Sequence, residues 1–183
     1  IGASLGIGLW SSTGTGSWSL QTDVIAGVLG VTANNNQNYE IYQNTGFASL
    51  LPTKKFAIIS KFKAGSTTNI RASCGARYGT TDAIAWFYDS SVGSNWMCRC
   101  MTASTATDVD SGVAADTNWH EFRIETDGTV VSFWLDGVFK TNITTNITTQ
   151  YMGLSMRAQS RGGGAKTVYC DFIEITSADR RTD

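Results

Sequence analysis

Turn residues break this chain at spacings of roughly 8–12 residues, and the runs between them are too short for helices but right for strands. Candidate strands fall at 18–22, 28–33, 38–43, 55–64, 70–77, 83–89, 95–103, 107–112, 119–126, 129–135, 138–142, 151–158 and 166–176. Two reversals are explicit: Thr126-Asp127-Gly128 joins 119–125 to 129–135, and Asp136-Gly137 turns the chain again into 138–140, which predicts a three-strand meander. Within it His120, Phe122 and Ile124 share one parity, as do Val131, Phe133 and Leu135, so these face a core and Trp134 lies on the other side. The strand at 55–63 alternates likewise, Phe56, Ile58, Ser60 and Phe62 against Lys55, Ala57, Ile59, Lys61 and Lys63. No window shows helical recurrence of apolar positions. The 24 Thr, 18 Ser, 19 Gly and single Pro (Pro52) are the vocabulary of pleated surfaces and tight turns. The expectation is an all-β sandwich or barrel of antiparallel sheets.

With 183 residues the chain suits one domain. Its expected division is a Gly/Ser-rich N-terminal arm at 1–17, a sandwich at 18–176 and a polar tail at 177–183. The first residue is Ile1, read as a processed or truncated start, and no signal peptide is visible. Fourteen Lys and Arg balance fifteen Asp and Glu, which gives no general attraction to nucleic acid or to anionic membrane. No apolar run nears the roughly 20 residues of a membrane-crossing helix.

Chemistry-bearing patterns are sparse. Glycosidase carboxylates stand on one strand face at fixed spacing; here Glu121 and Glu125 share parity but enclose Arg123, which reads as surface ion pairing. His120 is the sole histidine, with no readable nucleophile, and is expected to be hydrogen-bonded at a strand start beside Trp119. Catalysis is therefore not expected. Asp108 and Asp110, two apart and next to a glycine, are the one candidate Ca²⁺ pair, against which stands a turn-forming role; no other cofactor is implied. Cys74, Cys98, Cys100 and Cys170 fit either two disulfides or buried reduced thiols, the second being favoured by Met97 and Met101 around the Cys-x-Cys pair. Asn142-Ile143-Thr144 and Asn146-Ile147-Thr148 match the glycosylation pattern but read as a linker between strands. The run 157–166 reads as a solvent loop carrying three cations. Aromatic residues are in surplus. Trp86, Phe87 and Tyr88 are consecutive, so both faces of that strand carry a ring, and Trp96 and Trp134 add others. Trp86, Tyr88, Trp96 and Trp134 are accordingly the candidate binding residues, able to stack on a sugar or anchor a partner.

The segment 110–125, with Trp119-His120 leading into Phe122 and Ile124, followed by Val131, Phe133, Leu135 and Asp136-Gly137, resembles the signature of concanavalin A-like (laminin G-like) jelly rolls. Tyr169, Asp171, Phe172, Ile173 and Ile175 resemble their closing strand. This resemblance implies a jelly-roll sandwich of two antiparallel sheets. The wording of 110–125 is also similar to domains of tailed-phage virion proteins. That implies a non-enzymatic decoration or fibre protein on a virion surface, assembled in a host cytoplasm. Its partners would be other virion proteins, a homo-oligomer (a trimer if the domain tops a fibre) and a cell-surface glycan. The alternatives are an extracellular carbohydrate-binding module or lectin, and a polysaccharide-degrading enzyme.

Overall fold

In the computed structural model residues 10–21, 27–43 and 50–177 are described, and among them the backbone forms fourteen strands and no α-helix. They are β1 (Trp10–Gly14), β2 (Gly16–Gln21), β3 (Val28–Ala33), β4 (Asn38–Gln43), β5 (Phe56–Ala64), β6 (Ile70–Tyr78) and β7 (Asp82–Asp89). The second half adds β8 (Asn95–Thr102), β9 (Thr105–Ala114), β10 (His120–Thr126), β11 (Val131–Leu135), β12 (Val138–Ile143), β13 (Gly153–Ser160) and β14 (Lys166–Ser177).

These strands build two seven-stranded sheets. The front sheet runs β1-β4-β13-β6-β7-β8-β9 and the back sheet β12-β11-β10-β5-β14-β3-β2, with antiparallel neighbours throughout. The chain crosses from sheet to sheet repeatedly, so neighbours such as β13 and β6 come from distant parts of the sequence. The expected meander is β10-β11-β12, with Phe122 opposite Leu135 and Ile124 opposite Phe133. Its second turn works because Asp136 and Gly137 both take positive φ, 51° and 75°, the twist that a two-residue hairpin needs.

Alternation on each strand drives one set of side chains between the sheets. Phe122, Ile124, Val131, Phe133 and Leu135 from the back meet Ile84, Trp86, Trp96, Leu154 and Met156 from the front, all buried. The four cysteines lie in the same interior as free thiols, and burial pushes Cys74 and Cys100 up to about 12, so the reduced alternative is the one observed.

The structure departs from the sequence reading at the N-terminal side. Residues 10–17 of the expected arm are built into the sandwich: β1 pairs with β4, Trp10 packs against the core, and β2 begins at Gly16 beside β3. Gly14 and Gly16 flanked by Ser and Thr mask the alternation there. Residues 1–9 of the arm and 178–183 of the tail lie outside the described residues.

Candidate functional site

The front sheet's outward parity defines a mixed face, polar on β4, β13 and β6 and apolar on β7. Register puts Glu40, Arg157, Ser73, Phe87 and Met97 in one row across β4, β13, β6, β7 and β8. The next row holds Tyr42, Ser155, Gly75, Ala85, Arg99 and Asp108. The middle of that second row is small, and the larger side chains beside it leave a groove of about 420 Å³ along the sheet. A second hollow of about 520 Å³ shares Thr13, Arg77 and Thr80 with it and adds Tyr42 and Tyr78. Glycine at 75 in that row has a steric reason: its φ is 151° and a Cβ there would stand 2.3 Å from the Ile84 carbonyl oxygen.

Five arginines converge on this face: Arg71 and Arg77 from β6, Arg99 from β8, Arg157 from β13 and Arg161 from the segment after it. Arg77 donates to Glu40 and to the Gly79 carbonyl. Arg99 makes a two-pronged pair with Asp108, both bonds 2.7 Å, and lies 4.4 Å from the Phe87 ring. Arg161 donates to Asp89, whose other oxygen accepts from the Ser91 amide and hydroxyl. Arg71 stands 3.9 Å from the same Asp89 and 5.3 Å over Phe87. Arg157 has Gln159 as its hydrogen-bond acceptor, at 3.2 Å. Burial, and then the charges of Arg157 and Arg99, lower Arg71 to about 10. Arg157 is lowered by burial and then by Arg161, and Arg77 by burial and then by Arg157. Mutual repulsion between guanidiniums is thus part of this face.

The residues singled out from sequence fall elsewhere. Trp86, Tyr88 and Trp96, three of the four candidate binding rings, are a correction: they are buried between the sheets. Trp96 packs edge-on to Phe122 at 4.8 Å and to Tyr88 at 5.8 Å. Among the three consecutive aromatics the outward ring is Phe87, and even it is covered by Arg71 and Arg99. Trp134 does lie on the outer face of the back sheet, 5.6 Å from the exposed Phe139 and under Arg123. Asp108 and Asp110 do not fit a Ca²⁺ ion. Asp108 is held by the Arg99 fork, and Asp110 accepts from Asn95 and from the Gly112 amide. Among the described residues no cluster suited to a metal is found. Glu125 is paired with Arg123 on the surface, as expected. Of the expected cationic loop, Arg157 belongs to β13 and Arg161 is tied to Asp89. Asn146 donates to Thr107 and the Thr148 hydroxyl to buried Asp82, so the second glycosylation pattern serves as structural linker.

His120 is clamped rather than poised. Its Nδ1 lies 2.6 Å from Asp136 and its Nε2 3.0 Å from Asp116, which ties the β9–β10 loop to the β11–β12 turn. Burial pulls the imidazole pKa down, but the hydrogen bonds and charges of Asp136 and Asp116 outweigh it and raise the value above 6.5. A raised folded pKa contributes stability fully below the unfolded value and loses it as pH rises through the folded one. Wild-type protein should therefore lose melting temperature from below pH 6.5 to above neutrality, whereas His120→Gln should show a flatter profile in that window. Identical slopes would remove the clamp.

No known protein family matches the sequence, and no curated protein does. Solved structures match the fold. The Emp47p carbohydrate recognition domain superposes with TM-score 0.67 and 11% identity, over 93% of this chain and 89% of that one. A β-1,3-glucanase from Mycobacterium marinum gives 0.65 and 9%, over 92% and 91%. The alginate lyase AlyC3 gives 0.63 and 10%, over 87% and 78%. The sandwich is a concanavalin A-like jelly roll, and likeness at such identities speaks to fold alone. It nevertheless corrects the expectation that the chain is not an enzyme, because polysaccharide-cleaving proteins share this sandwich with lectin domains.

Proposed function

We propose that the chain interacts with carbohydrate through the groove on the outer face of the front sheet. The observation that carries this reading is the join of two kinds of surface in one elongated depression. Tyr42 and Tyr78 line one end, and arginine and serine side chains line the remainder over a floor of Ala83 and Ala85. A sugar ring needs that combination, an aromatic face for its C–H surface and fixed donors and acceptors for its hydroxyls. The fold supports the reading because its neighbours include a carbohydrate recognition domain and polysaccharide-cleaving proteins. The placement on a virion surface rests on the sequence resemblance of 110–125.

A screen of the purified chain against neutral and acidic oligosaccharides tests the proposal, with binding read by titration calorimetry and cleavage by new reducing ends. Tyr42→Ala is expected to weaken the best ligand about tenfold, equivalent to about 1.4 kcal/mol, while Trp134→Ala on the opposite sheet leaves it unchanged. No binding to any glycan, or loss at Trp134 instead of Tyr42, would refute it.

A further inference from the structure

We infer that the ligand of this groove is an acidic glycan, with its carboxylate or sulfate groups seated between Arg71 and Arg157. The inference rests on the glycan reading above and adds the chemical class.

Charge accounting leads to it. Of the acids on this face, Glu40 is taken by Arg77, Asp108 by Arg99, and Asp110 by Asn95 and the Gly112 amide. Asp82 at the groove's end is committed to three threonine hydroxyls. Among the described residues Asp89 alone remains for Arg71, Arg157 and Arg161, and its oxygens already accept from Arg161 and Ser91. Arg71 and Arg157 are diagonal neighbours, since Arg157 faces Ser73 and Gln159 faces Arg71 across the β13-β6 pair. Two guanidiniums therefore share one carboxylate, which stands 3.9 Å from Arg71 Nε and already accepts from Arg161.

A second observation concerns hydrogen bonds. The Nε atoms of both Arg71 and Arg157 are buried and have no hydrogen-bond partner among the described residues. Buried donors of a charged group are costly to leave unpaired, and an anion held by these two guanidiniums would offset part of that cost. Phe87 stands beneath the Arg71 and Arg99 guanidiniums, which holds the Arg71 fork by stacking. Planar forks of this kind suit the paired oxygens of a carboxylate or sulfate. A neutral glycan offers hydroxyls alone and leaves the repulsion between the two guanidiniums in place.

The test uses β-1,4-linked tetramannuronate, β-1,4-mannotetraose, which has the same ring without the carboxylate, and a heparin tetrasaccharide as the sulfated arm. Calorimetry at low and high salt is expected to show at least one acidic ligand binding about tenfold or more tighter than mannotetraose. The tighter acidic arm identifies the anion. Arg157→Gln and Arg71→Gln should each remove that preference, weakening the acidic ligand far more than mannotetraose, with melting temperature intact or raised because each relieves repulsion. Lys61→Gln, on the back sheet, should change nothing. Equal affinity for all three ligands would overturn the inference and leave the glycan groove standing. Binding of none would overturn both.

Discussion

Alanine in place of Trp86 is expected to cost about 3–5 kcal/mol of folding stability, the range for removing a large aromatic side chain from a packed core. The ring is 0% exposed on β7 and bridges the sheets, 5.4 Å from Phe122 and 5.6 Å from Phe133. Its indole N–H donates to the Arg123 carbonyl at 3.2 Å, so truncation opens a cavity and also removes a hydrogen bond between the sheets. Denaturant melts of Trp86→Ala and Trp134→Ala make the comparison direct. Trp134 contributes an exposed ring pair with Phe139, worth about 0.5–1.5 kcal/mol. A Trp86→Ala protein with unchanged midpoint and lost glycan binding would restore Trp86 as a ligand platform. Trp96 offers a contrast, because its indole N–H has no partner among the described residues. Phenylalanine there loses area but no hydrogen bond.

Those tryptophans also mark where sequence reading stopped. On β10 and β11 one face is core and the other meets water, so Phe122 and Ile124 against Glu121 and Arg123 could be sorted by parity alone. On β7 both faces are apolar: Ile84, Trp86 and Tyr88 go inward, while Ala83, Ala85 and Phe87 go outward under a roof of arginines. Parity finds two faces there without saying which is inside. The cue that does exist is size, since the outward set is small apart from Phe87 and so lies in a depression. The arginine cluster was harder still to read. Arg71 and Arg157 become neighbours only because the jelly roll inserts β13 beside β6, and a local motif cannot express a pairing made by crossover. Arg161, which looked like part of a solvent loop, is anchored by an aspartate 72 residues earlier.

The second large effect is expected at Asp82. This carboxylate is buried at the end of the sandwich, where it accepts from Thr81 at 2.6 Å, Thr102 at 3.1 Å, Thr148 at 2.5 Å and the Ala103 amide at 3.4 Å. It thereby fixes the β8–β9 turn, whose Ala103 and Ser104 both hold positive φ, and pins the segment after β12 through a threonine that is itself 0% exposed. Asp82→Ala leaves several of those donors without a partner. At about 1–3 kcal/mol per orphaned buried group, a loss of about 3 kcal/mol is expected. The pH dependence follows from the same contacts. Burial pushes the Asp82 carboxyl up, but the hydrogen bonds from Thr148, Thr81, Thr102 and Ala103 together outweigh it and hold the pKa below 3.8. A depressed folded pKa contributes stability that is complete above the unfolded value and is lost as pH falls through the folded one. Melting temperatures measured downward from pH 5 should therefore fall for wild type once pH drops below about 4, and fall less steeply for Asp82→Asn, whose amide keeps the shape and does not titrate. Parallel curves would mean that the threonines, not the carboxylate's charge, carry the stability of this corner.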